Sequence, residues 1–123
     1  MAELIYPQLS YEVIGLLYDV YNELGFGHKE KIYQKAFEQL LAKKNIRFSR
    51  EAYFPIEFQG KLLSKYFFDF IIDNKIVLEL KVAKDFYEQD INQLLSYLKY
   101  KKYRLGILVV FSKEELKYRR IVN

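Results

Sequence analysis

The chain has 123 residues, 51% hydrophobic and 18% aromatic, with twelve Tyr, ten Phe and no Cys. That is enough for one domain with one core and too apolar for extended disorder, and it excludes disulfides, zinc-thiolate sites and thiol nucleophiles. Twenty Lys and Arg against sixteen Asp and Glu leave a net charge of +4, and no apolar run reaches the ~18 residues of a membrane helix, so neither export nor insertion is expected and the cytoplasm is the simplest address.

The pattern predicts helix, helix, three strands, helix, strand and an edge strand, with no repeats or low-complexity linkers. Ser10 is expected to cap a first helix whose apolar positions Val13, Leu16, Leu17, Val20 and Leu24 keep helical spacing, and Gly25 and Gly27 end it. A second helix follows at once, with the stripe Ile32, Tyr33, Ala36, Phe37, Leu40 and Leu41 and an exit at Asn45. The period then becomes extended. Arg47 to Phe58 reads as a strand, Gln59-Gly60-Lys61 as a turn, Leu62 to Ile72 as a second strand and Lys75 to Val82 as a third, together an antiparallel meander. From Asp85, taken as a cap, to Lys101 the spacing of Ile91, Leu94, Leu95 and Leu98 is helical; Leu105 to Phe111 is a buried strand and Leu116 to Val122 an edge strand.

Three charges interrupt the greasiest part of the meander. Asp69 lies on the second strand and Glu79 and Lys81 on the third, where an ionised carboxylate is expensive unless a cation or donor compensates it. Alternation puts Ile76, Leu78, Leu80 and Val82 on one face and Val77, Glu79 and Lys81 on the other. A two-residue turn at Asp73-Asn74 would set Asp69 opposite Leu78, whereas a three-residue loop, Asp73-Asn74-Lys75, sets it opposite Glu79; the three-residue loop is predicted, since Asn tolerates the left-handed conformation it needs. Two neighbouring carboxylates repel, and a hard divalent ion, magnesium or manganese, is the natural way to hold both ionised. Such an ion can polarise a phosphoryl oxygen and acidify a bound water beside a helpful ammonium, which is the chemistry of phosphodiester hydrolysis. The competing account of the same spacing is a half-exposed ion pair.

Asp69, nine residues, then Glu79-Leu80-Lys81 resembles the signature of the PD-(D/E)XK nuclease superfamily on strands two and three of its core. Upstream, Gly27-His28-Lys29-Glu30-Lys31-Ile32-Tyr33 matches the Gly-x-x-Glu-x-x-Tyr pattern of the GxxExxY protein family within it, and Gln93-Leu94-Leu95-Ser96-Tyr97 looks like the Gln-x-x-x-Tyr motif of exonuclease-like members. The resemblance spans nearly the whole chain. It implies a restriction-endonuclease-like α/β core, a mixed sheet with a three-stranded antiparallel meander flanked by helices. It also implies that Asp69, Glu79 and the Leu80 backbone carbonyl bind Mg2+ or Mn2+, that Lys81 contacts the attacking water or the scissile phosphate, that Glu30 completes the metal shell or orients a water, and that Gln93 touches the metal site or substrate. Physically, Glu30 shares a helix face with Tyr33 and Phe37, and it also fits as a carboxylate near a helix N-terminus.

Other features carry less. Lys99, Lys101, Lys102 and Arg104, with Tyr97, form a candidate nucleic-acid surface, and Lys117, Arg119 and Arg120 a second basic cluster; a solvated rim is the plain alternative for each. His28 is the single histidine and reads as incidental, Gly25-Phe26-Gly27 as a helix-ending turn, and Arg50, Glu51 and Glu57 as solvated strand residues. The expectation is therefore a magnesium-dependent nuclease with DNA favoured over RNA, no membrane partner, and tyrosine-rich surfaces that suit a homodimer. The rivals are a nucleic-acid or protein binding module that keeps the fold without the chemistry, and a structural subunit.

Overall fold

The computed structural model describes residues 4–123. The elements are α1 (Pro7–Leu24), α2 (Glu30–Lys43), β1 (Phe48–Phe58), β2 (Lys61–Ile72), β3 (Ile76–Val82), α3 (Glu88–Lys101), β4 (Leu105–Phe111) and β5 (Leu116–Val122). The five strands form one mixed sheet in the order β1-β2-β3-β4-β5. All neighbours run antiparallel except β3 and β4, which are parallel because α3 carries the chain back between them. No helix of the described residues is long and apolar enough to cross a membrane.

Helices cover both faces, which makes two cores. On one side Val13, Leu17 and Val20 of α1 and Tyr33, Phe37 and Leu41 of α2 pack on Phe70, Ile76, Leu78, Leu80 and Val109. On the other, Leu94 and Leu98 of α3 pack on Val77, Leu108 and Ile121. Each such side chain contributes roughly 1.5–3 kcal/mol by leaving water. Covering on both faces is why β4 is an unbroken apolar run instead of an alternating one. Gly106 sets how closely α3 lies: a Cβ there would meet Leu94 and Leu98 at 3.1 Å.

Several expectations are corrected. The first helix begins at Pro7 behind a left-handed Tyr6, and Ser10 lies inside it, buried, with its hydroxyl donating to the Pro7 carbonyl; the ring of Pro7 presets the first turn, so no cap is needed at Ser10. Ile32 is exposed, and Gln34 takes its place on the buried side of α2. Lys61 begins β2, leaving a two-residue turn at Gln59-Gly60 with both residues left-handed. Asp85 does not cap α3, which starts behind Tyr87; it accepts the Phe86 N–H and pairs with Lys117 at 3.4 Å. Arg50 is not a solvated strand residue, since its guanidinium reaches across to α2 and donates to Glu38 at 3.1 Å and Gln34 at 3.2 Å. Arg120 is half-buried, donating to the Ser10 hydroxyl and the Ile5 carbonyl.

The β1–β2 hairpin changes faces partway along its length. Phe70 and Ile72 enter the α1/α2 core, yet Phe68 enters the α3 core, although residues of equal parity on a regular strand share a face. The changeover falls at Asp69, which lies between the Phe70–Arg50 and Phe68–Ala52 pairs, where Glu51 of β1 takes φ 51°.

Candidate active site

The hairpin loop decides which residues meet. Ile72 pairs with Ile76, so the loop is Asp73-Asn74-Lys75, as the sequence requires. Asp73 and Asn74 take φ 49° and 53°, and the Lys75 N–H donates to the Ile72 carbonyl at 2.9 Å. That is a type I′ turn followed by one extra residue. Counting outward through Ile71–Val77 and Phe70–Leu78 brings Asp69 opposite Glu79.

At that pair the ladder stops. β3 continues to pair with β4 as far as Val82, but its other edge loses β2 beyond Leu78. Two carboxylates close the gap: the Asp69 N–H donates to Glu79 Oε2 at 3.1 Å, and the Leu80 N–H donates to Asp69 Oδ2 at 2.8 Å. In an extended strand the N–H and C=O of one residue point to the same edge, so the Leu80 carbonyl faces this opening too. Tyr66 supplies the next contact, its hydroxyl donating to Glu79 Oε1 at 2.8 Å. Its ring is held by Tyr97, with centroids 4.6 Å apart.

Electrostatics mark the pair. Glu79 is buried, and burial first, then the charge of Asp69 and the contact between the two carboxyl groups, push its carboxyl up from the ordinary 4.5 to about 8. Glu30, half-buried at the start of α2, is raised by burial and by Asp69, while the Lys81 ammonium works in the opposite direction. The Tyr66 phenol is held far above its usual range by burial and by Glu79. Asp69, Glu79, Glu30 and Lys81 therefore share one neighbourhood. Lys81 has no carboxylate within 4 Å among the described residues, so its ammonium is not consumed in an ion pair.

The site opens both ways from the changeover. Asp69 and Glu30 line a cleft of about 630 Å³ with Lys29, Lys31, Gln34, Glu51, Phe67 and Phe68. Glu79 and Lys81 line a crevice of about 10 Å³, close to the size of one water, with Tyr66, Asp90 and Gln93. Among the described residues no three acidic or imidazole groups form a ready cage. The donor chemistry nevertheless fits a hard cation: two carboxyl groups in contact and a carbonyl on the same edge. Each carboxylate also keeps lone pairs beyond the hydrogen bonds it accepts. Without a cation, burial and the neighbouring Asp69 charge push the Glu79 carboxyl toward its protonated form.

Of the residues singled out in the sequence, Asp69, Glu79, Lys81, Glu30 and Gln93 come together here. His28 does not; its Nε2 lies 3.0 Å from the Leu24 carbonyl and closes the end of α1. Tyr97 is packed among Phe54, Tyr66 and Phe68. Lys99, Lys101, Lys102 and Arg104 lie toward and beyond the far end of α3, where Lys101 Nζ sits 5.6 Å above the Phe54 ring. Sequence reasoning missed Tyr66, Asp90 and the relay in which Arg50 donates to Gln34 and Gln34 to Glu30 Oε2 at 3.4 Å.

The family model of the PD-(D/E)XK nuclease superfamily matches residues 7–121. No curated protein matches the chain. Among solved structures, the one titled "Crystal structure of SSO0001" is 25% identical with a TM-score of 0.59; the match covers 96% of this chain and 60% of that one. The chain thus spans about 60% of that structure's length.

Proposed function

The chain belongs to the PD-(D/E)XK nuclease superfamily, and from that premise we propose that it is a divalent-metal-dependent nuclease acting on DNA in preference to RNA. The observation that carries this reading is the contact between two carboxyl groups, Asp69 and Glu79, at the edge where β2 leaves β3, beside a Lys81 ammonium that has no carboxylate partner among the described residues. A binding module gains nothing from two carboxyl groups set side by side where burial and mutual repulsion push one of them toward its protonated form.

In this reading Asp69, Glu79 and the Leu80 carbonyl hold Mg2+ or Mn2+. The ion, when bound, polarises a phosphoryl oxygen and acidifies a water. Lys81 reaches the scissile phosphate and offsets charge that develops there. Glu30, aimed by Gln34 and Arg50, orients a water at the margin of the site, and Gln93 closes it from α3. Tyr66 keeps Glu79 from swinging, and Tyr97 braces Tyr66. Lys99, Lys101, Lys102 and Arg104 give a distal contact to the phosphate backbone. Gly27, Glu30 and Tyr33 at their spacing support placement in the GxxExxY subgroup, and a cytoplasmic, homodimeric protein is consistent with this use.

The test is direct. The purified protein incubated with labelled DNA and RNA strands and duplexes should cut with Mg2+ or Mn2+ and be silent in EDTA. Retained binding with no cutting under any divalent ion would leave only the binding module.

A further inference from the structure

Beyond the changeover at Asp69, the outer face of the hairpin carries an aromatic pair. Phe67 on β2 and Tyr53 on β1 are cross-strand partners with ring centroids 5.3 Å apart at 41°, and they remain 51% and 53% exposed. Phe67 is also a wall of the 630 Å³ cleft that holds Asp69 and Glu30. Lys29 and Lys31, from the start of α2, line the same cleft and have no carboxylate within 4 Å among the described residues.

We infer that the Phe67–Tyr53 pair is a stacking platform for unpaired bases, so that the cleft takes a single strand or a frayed end and not an intact duplex. This rests on the nuclease reading for the site beside it and deepens that reading by naming the substrate class. The two rings form one contiguous exposed aromatic surface next to the cleft, the kind of feature that marks a contact site. A duplex keeps its base faces inside the stack and offers chiefly phosphates and groove edges. An unpaired base offers a π face, and aromatic faces beside cationic side chains, here Lys29 and Lys31 next to the acids Glu30, Glu51 and Asp69, are how sequence-tolerant single-strand sites are built. The placement suits this arrangement. Phe67 and Asp69 line the same cleft with Lys29 and Lys31, so a base stacked on the ring leaves its flanking phosphate near the acids.

The experiment is fluorescence polarisation in EDTA, where nothing is cut, with a labelled single strand and the duplex of the same sequence. Wild type should prefer the single strand. Phe67→Ala, a change at a half-exposed position, should weaken single-strand binding roughly 5- to 150-fold with little change toward duplex, and Phe67→Tyr should restore it. Duplex preference in wild type, equal losses on both ligands, or unchanged single-strand affinity in Phe67→Ala would overturn the inference. So would a Phe67→Ala effect confined to self-association in sedimentation, which would make the patch a protein interface. Because no metal is present, the result is independent of catalysis: Phe67-dependent single-strand binding in a protein that never cuts would sink the nuclease reading and leave the platform standing.

Discussion

Lys81→Ala is expected to lower phosphodiester cleavage roughly 10²- to 10³-fold, the usual cost of deleting one group that stabilises developing charge, while divalent-ion affinity stays equal or rises slightly. Lys81 follows Glu79 by two residues on the same face of β3 and lines the same crevice. It makes no ion pair among the described residues, so its removal breaks no salt bridge and should leave the fold nearly as stable. What it removes is positive charge near the acids, a change that favours a bound cation if anything and deprives only the phosphate. Single-turnover cleavage and calorimetry on the same preparation separate the two effects. Full cleavage by the variant, or loss of metal binding with it, would contradict the assigned role.

Glu79→Gln should make the metal-free protein more stable at alkaline pH while removing its response to metal. The Glu79 carboxyl is raised in the fold from 4.5 to about 8, chiefly by burial and then by Asp69. A group with a raised folded value stabilises the fold fully below its unfolded value and loses that contribution as pH climbs through the folded one. Wild type in EDTA should therefore weaken between about pH 4.5 and pH 8, by on the order of a few kcal/mol. Glu30, raised for similar reasons, adds in the same direction. Glutamine keeps the shape and an acceptor without the charge, so the variant should lack most of this slope and exceed wild type at the alkaline end. Added Mg2+ or Mn2+ should stabilise wild type alone. Thermal melts at both ends of the range decide it: a flat wild-type profile, or a variant weaker than wild type at alkaline pH, would show that the acids are not in conflict.

The parts of this molecule that sequence made legible are those where periodicity and burial agree. β4 lies where its apolar run puts it, because a strand covered on both faces leaves few alternatives, and β5 follows it as the edge strand. Asp69 and Glu79 were conspicuous because charge on a greasy strand demands an explanation, and counting loop residues was enough to oppose them. Tyr66 was not legible. On a straight strand its parity would send it to the face opposite Asp69, and only the face change at Asp69, with Glu51 left-handed across from it, turns it onto Glu79. Nothing in the residue type of Glu51 signals that conformation. Arg50 escaped for another reason: its partners Gln34 and Glu38 stand on a helix 16 and 12 residues away, beyond any local pattern. Ser10 misled because a good capping residue also serves as a buried acceptor for Arg120.

Calorimetric titration of Mg2+ and Mn2+ into wild type and Asp69→Asn reaches the centre of the account. Asparagine retains an oxygen for the Leu80 N–H, which sits 2.8 Å from Asp69 Oδ2, so the fold is preserved and only the ligand charge is lost. Saturable binding by wild type and none by the variant is the predicted result. Matching isotherms for the two proteins would mean that these strands do not hold the ion.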